Sequence, residues 1–364
     1  MIQDKQNHGG GGEILSLIGS VAIRGGVNWI DWMKALGMFL IIWGHLSPTN
    51  LEDFIYSFNV PSFFVISGFL FKEVDWRTFW HKNLKGLIIP YVLLCISIIL
   101  FFGAVKLYMG DMDSYYISFS LLACLIGDQD GIGCGFGCQA LWFVYTLFLI
   151  KVVVNAVKDR WHWQFVIIIC CLVAAFFLKL YNIQLFSSYI DVLLSYPFFI
   201  MGFYIAKRKL LNVELAQEFI RYKRHKALCI VMLLLSIIAL FFIAHCNGQV
   251  RMYNADYGNN LILFILDGCI GTALLAVMSL LLGAWDMPKM LKRLLGNMIS
   301  THSKGSIITL AWQIFFLLIA KNIIGENRHD DVISFLLALC IYLAFIPIIK
   351  FVNAYMPIIS GYRR

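Results

Sequence analysis

Asp31, Lys34 and His45 sit in the stretch WIDWMKALGMFLIIWGHL, whose remaining residues are almost all apolar. At about 100° per helical residue, the step from Lys34 to His45 closes to within about 20° of three full turns, and that from Asp31 to His45 to within about 40°. All three side chains therefore leave one face of a helix. At about 1.5 Å per residue, Lys34 and His45 are about 16 Å apart along the axis, a span that suits an elongated ligand. An anionic head can pair with the lysine while a reactive end reaches the imidazole. Near its ordinary pKa of about 6.5, that ring takes a proton from a hydroxyl and returns it to a leaving group. A plainer arrangement uses the same residues: Asp31 and Lys34 as an interfacial ion pair with Lys34 snorkelling, and His45 capping the helix end beside Pro48.

The next apolar segment, DFIYSFNVPSFFVISGFLF, carries Asn59, Pro61 and the pair Ser67-Gly68. Pro61 lacks an amide donor and clashes with the preceding turn, so a kink is expected there, with carbonyls that need partners. Such backbone is tolerated at membrane depth where it lines a cavity. Ser67-Gly68 equally fits a small-residue notch against another helix.

A membrane-embedded frame must position these segments. Of 364 residues, 60% are hydrophobic and 14% charged, and the mean hydropathy is +0.79. That is the composition of a chain whose solvent is the bilayer. Apolar segments long enough to cross about 30 Å of hydrocarbon lie roughly at 30–48, 52–71, 86–108, 139–157, 163–181, 188–206, 226–245, 260–284, 304–323 and 331–352. The expected fold is an all-α integral membrane protein of about ten transmembrane helices. Lys and Arg crowd the loops 72–85, 206–225 and 285–304, whereas 109–138 has none, which puts both termini in the cytoplasm. The net charge of +8 follows from this bias. The basic loops read as topology determinants and contacts for anionic lipids, with no nucleic-acid partner. Residues 1–28 read as a flexible cytosolic lead-in without cleavable-signal anatomy, 29–353 as one transmembrane domain and 354–364 as a cytosolic tail.

The cysteines show no paired ligand spacing, and no metal is expected. Cys134 and Cys138, in the Gly-rich GIGCGFGC, fall in a loop on the outer side, where an oxidising milieu permits a disulfide if the loop geometry allows one. Asp191, Asp267, Lys106, Lys151 and Lys179 lie in or near spans, where an ionisable group is a functional suspect, although Lys106 and Lys179 are placed to snorkel. His81, His245 and His302 are expected near interfaces or in loops, in contact with solvent.

Taken together, Asp31, Lys34, Gly44-His45, the run Phe58-Asn59-Val60-Pro61-Ser62-Phe63-Phe64 and Ser67-Gly68-Phe69 resemble the opening pattern of the membrane acyltransferase-3 family. That pattern is an acidic residue, a basic residue, a Gly-His pair, then Phe-x-x-Pro-x-Phe-Phe-x-x-Ser-Gly. Weaker echoes are Lys82 and Lys85 before Pro90-Tyr91, Leu141-Trp142-Phe143, Pro197-Phe198-Phe199 with Gly202, YGNN at 257–260, and Pro357 with Gly361. The chain departs from the pattern at Lys34, where members often carry Arg, at Asn59, where His is common, and around Trp312, where a late His is frequent.

The resemblance implies a multi-pass protein of the cell membrane, in first place the bacterial cytoplasmic membrane. It implies transfer of an acyl group, in first place acetyl, from cytosolic acyl-CoA to a hydroxyl of a cell-surface glycan or its lipid-linked precursor. On that view Lys34, Lys82 and Lys85 hold the nucleotide phosphates and His45 is the general base. Asn59 donates to the developing oxyanion or orients His45, and Asp31 holds Lys34. Pro61, Ser67 and Gly68 shape the helices, while Trp142 and Tyr145 either line the acceptor entrance or belong to an aromatic belt. A covalent acyl-His or acyl-Ser67 intermediate is less favoured, since no residue visibly activates Ser67 as a nucleophile. Membrane lipids are further partners, and a homo-oligomer is compatible with the sequence. Two other functions stay open: a proton-coupled secondary transporter, which also uses broken helices with ionisable residues at depth, and a non-catalytic membrane partner or sensor that keeps the fold.

Overall fold

The computed structural model describes residues 28–47, 49–128, 139–158, 160–183, 187–253, 255–324 and 331–361. The N-terminal lead-in up to residue 27 and the Cys134 and Cys138 pair lie outside them. The chain opens with α1 (Trp29–Gly44) and α2 (Thr49–Phe69). Next, α3 (Trp76–Asn83) passes through a π turn at Leu84–Ile88 into α4 (Ile89–Met109). There follow α5 (Tyr116–Ile126), α6 (Trp142–Val157), α7 (Trp161–Leu180) and α8 (Ser187–Lys207). The second half holds α9 (Val213–Arg221), α10 (Lys223–Asn247), α11 (Leu261–Gly283), α12 (Lys289–Lys304), α13 (Ser306–Ile324) and α14 (Asp331–Tyr355). Among the described residues the only strand-like pairing is the isolated bridge between Arg251 and Asp256.

Each expected apolar segment is a helix, and among the described residues eight helices are long and apolar enough to cross a membrane, which makes the chain a multi-pass membrane protein. The two that fall short are α1 and α2. With 16 residues, α1 is about 24 Å long, less than a hydrocarbon core of about 30 Å. In α2 the polar Glu52, Asp53, Ser57, Asn59 and Ser62 lower the hydropathy. Both helices pack against protein instead: α2 against α8 and α11, α1 against α2, α11, α12 and α14. The periphery is apolar, with α7 and α10 presenting large exposed side chains such as Phe165, Phe176, Leu234 and Phe242. Stretches expected as loops hold helices of their own: α5 within 109–138, α9 within 206–225 and α12 within 285–304.

Local chemistry explains how α1 starts. The Asn28 side chain accepts from the Ile30 amide at 3.1 Å, and the Asp31 carboxylate accepts from the Asn28 amide at 3.2 Å, a capping box that satisfies donors left free in the first turn. Ser303 donates to the other Asp31 oxygen at 2.5 Å, tying the end of α12 to the start of α1.

Glycines set the closest helix approach. A Cβ on Gly68 would lie 1.9 Å from the Phe199 carbonyl oxygen, and one on Gly202 would lie 1.9 Å from that of Val65. α2 and α8 therefore cross backbone to backbone, as small residues permit in membranes. Pro61 sits inside an unbroken α2. Beside it Ser62 donates to the Phe58 carbonyl at 2.8 Å and meets Thr272 of α11 at 3.0 Å.

Candidate active site

A cavity of about 450 Å³ runs between α1, α2, α6 and α13. Lys34, Met38, Ile41 and His45 of α1 all border it, at the helical spacing that keeps them on one face. The α2 wall is Glu52, Tyr56, Val60, Phe63 and Ser67, again one face by spacing. The two ends are polar, and the middle, between Ile41, Phe63, Phe143, Leu147 and Leu310, is apolar.

At one end stands His45, whose backbone caps α1 by donating to the Ile41 carbonyl at 3.2 Å. The Tyr56 hydroxyl is 2.6 Å from His45 Nδ1, with the rings edge to face at 5.5 Å. Glu52, one turn before Tyr56, and Arg251 and Tyr253, from the turn between α10 and α11, complete this end. Glu52 carries electrostatic contacts to Arg251 and Lys321, and Lys321 also acts on His45.

That turn is built rigidly. Asn247 donates to the Tyr257 carbonyl at 2.9 Å and accepts from the Asn260 amide at 2.8 Å. Gly258 takes φ +77° against the Asn247 backbone, where a Cβ would sit 2.6 Å from the carbonyl oxygen. Lys179 of α7 reaches across to Asp256 at 2.6 Å, to the Gly258 carbonyl, and over the Tyr257 ring at 4.4 Å. The YGNN run thus holds the wall that carries Arg251 and Tyr253, and Lys179 is its clasp.

The other end is cationic. Lys34 and Lys304 both border the cavity, and Lys151 on α6 lies close enough to Lys34 for the two charges to repel. Gly86 and Leu87, from the π turn, and Ser306 and Ser360 form the rest of this mouth. A π turn inserts one residue into the helical ladder and is frequent at functional sites. The C-terminal turn folds back onto it: Gly361 has φ +65°, and a Cβ there would lie 2.7 Å from the Gly86 carbonyl oxygen.

Of the residues singled out from sequence, Lys34, His45, Ser67 and Trp142 share this cavity, while Asp31, Asn59, Pro61, Gly68, Lys82, Lys85 and Tyr145 lie off its wall. Asn59 is fully buried and donates to the Gly37 carbonyl of α1 at 3.1 Å. Its amide joins the first two helices. Lys82 and Lys85 are exposed, Lys85 being the neighbour of Gly86 in the mouth. Tyr145 meets the Tyr189 hydroxyl at 3.1 Å and the Leu125 carbonyl at 3.3 Å. His302 corrects an expectation: it is buried, not solvated, and lies flat on Tyr342 with ring centroids 3.5 Å apart. Folding of the α12 segment against α1 and α14 is what removes it from water.

Sequence reasoning missed Glu52, Tyr56, Arg251, Lys304 and Gln313. For Glu52 and Tyr56 a signal was present, since both share a helical face with Ser67. Arg251, Lys304 and Gln313 come from distant segments and carry no such pattern. A family model described as an acyltransferase domain, acyltransferase-3, matches residues 27–359. No curated protein and no solved structure matches the chain.

Proposed function

The chain belongs to the acyltransferase-3 family, and from that premise we propose that it moves an acyl group, in first place acetyl, from cytosolic acyl-CoA to a hydroxyl of a cell-surface glycan or its lipid-linked precursor. The observation that carries the reading is that Lys34 and His45 open onto one cavity from opposite ends, about 16 Å apart along α1. The Lys34 end faces the cytosol, as the basic loops argue. There Lys34, Lys151 and Lys304 give the CoA phosphates a cationic mouth, and Lys82 and Lys85 add to its field from outside. The pantetheine arm crosses the apolar middle and brings the thioester to His45. The acceptor enters beside Glu52, Arg251 and Tyr253, whose carboxylate, guanidinium and phenol suit a polyhydroxylated ring. α1 and α2 cross the bilayer as protein-surrounded spans, which brings the total to ten and leaves both termini in the cytoplasm. The membrane is the bacterial cytoplasmic membrane.

His45 is the general base. With the Tyr56 hydroxyl accepting from Nδ1–H, the Nε2 lone pair is left for the acceptor hydroxyl. A base held this way typically contributes about 100- to 10,000-fold. Asp31 supports the site as the cap of α1 and Asn59 as the tie between α1 and α2. The test is mass spectrometry of surface glycans from cells carrying the wild-type chain or His45→Ala. Loss of one acyl mass with His45→Ala supports the reading, and the same acyl mass in both overturns it.

A further inference from the structure

Gln313 of α13 borders the cavity. It is 1% exposed, and neither its Nε2 nor its Oε1 has a hydrogen-bond partner. Buried amides without partners are costly and rare in folded proteins, and a catalytic role at a cavity wall is one of the few reasons for keeping one. Asn59, the amide nearest the opening motif, donates through Nδ2 to the Gly37 carbonyl and leaves its Oδ1 unpartnered, but it lies off the cavity wall. α13 starts two residues after Lys304 of the cationic mouth, and Lys321 near its other end acts electrostatically on His45. Gln313, seven residues and so about 10 Å beyond Ser306 of that mouth, borders the cavity past its apolar stretch, toward the imidazole end. Its neighbour Trp312 turns instead to Phe101, with ring centroids at 5.4 Å.

We propose that Gln313 is the oxyanion donor of the transfer, an assignment that rests on the acyl-transfer reading above. The acceptor oxygen forms a bond to the thioester carbonyl carbon while its proton passes to His45 Nε2. The C=O π pair moves onto the carbonyl oxygen, where the Gln313 Nε2–H group receives the charge. On collapse that pair re-forms C=O and the C–S bond breaks with its electrons on sulfur. The proton held by His45 passes to the thiolate, giving free CoA thiol and the O-acyl ester. A donor in place before the charge develops needs no reorganisation at the moment of reaction, which is why such groups act strongly in a site closed to water.

Two variants of the full-length protein in lipid nanodiscs test this, Gln313→Met and Gln313→Glu, with radiolabelled acetyl-CoA as donor and membranes bearing the native acceptor. Met keeps the unbranched shape and removes both polar atoms. Glu keeps the size and puts a carboxyl where charge builds. Both are expected to lower kcat about 100- to 1,000-fold with the KM for acetyl-CoA within about twofold, the signature of an interaction made only in the transition state. The thermal midpoint of Gln313→Met should be unchanged or raised, because an unpartnered amide leaves the interior. A wild-type kcat in Gln313→Met overturns the assignment. So does a lowered midpoint, which would mean that the amide has protein partners. Transfer that depends on His45 but survives Gln313→Met removes the Gln313 role alone, whereas transfer undiminished in His45→Ala removes the acyl-transfer reading and this inference with it.

Discussion

The hydroxyl of Tyr56 lies 2.6 Å from Nδ1 of His45, joining the last residue of the α1 face to the second polar residue of the α2 face. A hydrogen bond at one ring nitrogen decides which state the other nitrogen presents. His45 borders the cavity at the end where Arg251, Tyr253 and Glu52 also gather. The pair therefore couples helix packing to the imidazole: α2 must hold its register against α1 for the His45 ring to keep its hydrogen bond and its place at the cavity.

This coupling predicts a non-additive pair of variants. His45→Ala should lower transfer about 100- to 10,000-fold in a protein that still inserts and folds. Tyr56→Phe keeps the edge-to-face ring contact and removes the hydroxyl, and it should lower kcat about 10- to 100-fold, part of what a general base supplies. In the His45→Ala background, Tyr56→Phe should have no further effect, because residues in direct contact share their contribution. Initial rates for the four proteins decide it. Equal losses with and without His45 would show that Tyr56 acts on packing alone.

Lys34→Ala should raise the KM for acyl-CoA about tenfold, equivalent to about 1.4 kcal/mol of binding, with little change in kcat. Lys304→Ala should act in the same direction, since both ammonium groups border the same mouth. Lys82→Ala and Lys85→Ala, exposed outside it, should change KM by no more than about twofold, as expected of screened surface charges. Steady-state kinetics at several salt concentrations separate the two groups. An unchanged KM in Lys34→Ala would return that lysine to a helix-end partner of Asp31.

The helices and the α1 stripe were legible because periodicity is local: four residues of one face, Lys34, Met38, Ile41 and His45, line the cavity as their spacing requires. Glu52 and Tyr56 were legible in principle by the same rule. Asn59 was legible as part of a recognisable motif, but not its partner: its direction on α2 is about 60° from that of Tyr56, which turns it toward Gly37. Gln313 and Lys304 depend on where α13 and α12 come to rest, which is set by contacts such as Ser303 with Asp31 across the whole chain. His302 looked like a loop histidine because a polar amphipathic segment and a loop have similar composition. Burial of that segment is a tertiary fact.

Gly68→Ala and Gly202→Ala should each destabilise the protein by about 3 kcal/mol, the upper part of the range for overpacking. The added methyl meets a backbone carbonyl at 1.9 Å in each case, so relief requires α2 and α8 to separate rather than one side chain to turn. Because α2 carries Tyr56, activity should fall with the folded fraction. Thermal unfolding in detergent measures this, with Ser67→Ala, one position along the same helix, as the comparison expected to lie near wild type. A midpoint for Gly68→Ala equal to that of Ser67→Ala would show that the crossing is looser than the structure has it.

His302 predicts an acid-sensitive stability. Its helix, α12, is outside the eight candidate spans, and burial under Tyr342 lowers its pKa from 6.5 to about 4. Between those values the unfolded chain binds a proton that the native one refuses, so stability is lost as the pH falls through that window. The slope is at most about 1.4 kcal/mol per pH unit, and nothing is lost above about pH 6.5. His302→Phe keeps a flat ring on Tyr342 without a titrating group and should flatten this limb. Thermal midpoints of both proteins at about pH 7.5, 6 and 5 give the comparison. An equal acid loss in His302→Phe would assign the limb to other groups, whereas a flattened one ties acid tolerance to the seam where α12 and α14 close over the start of α1.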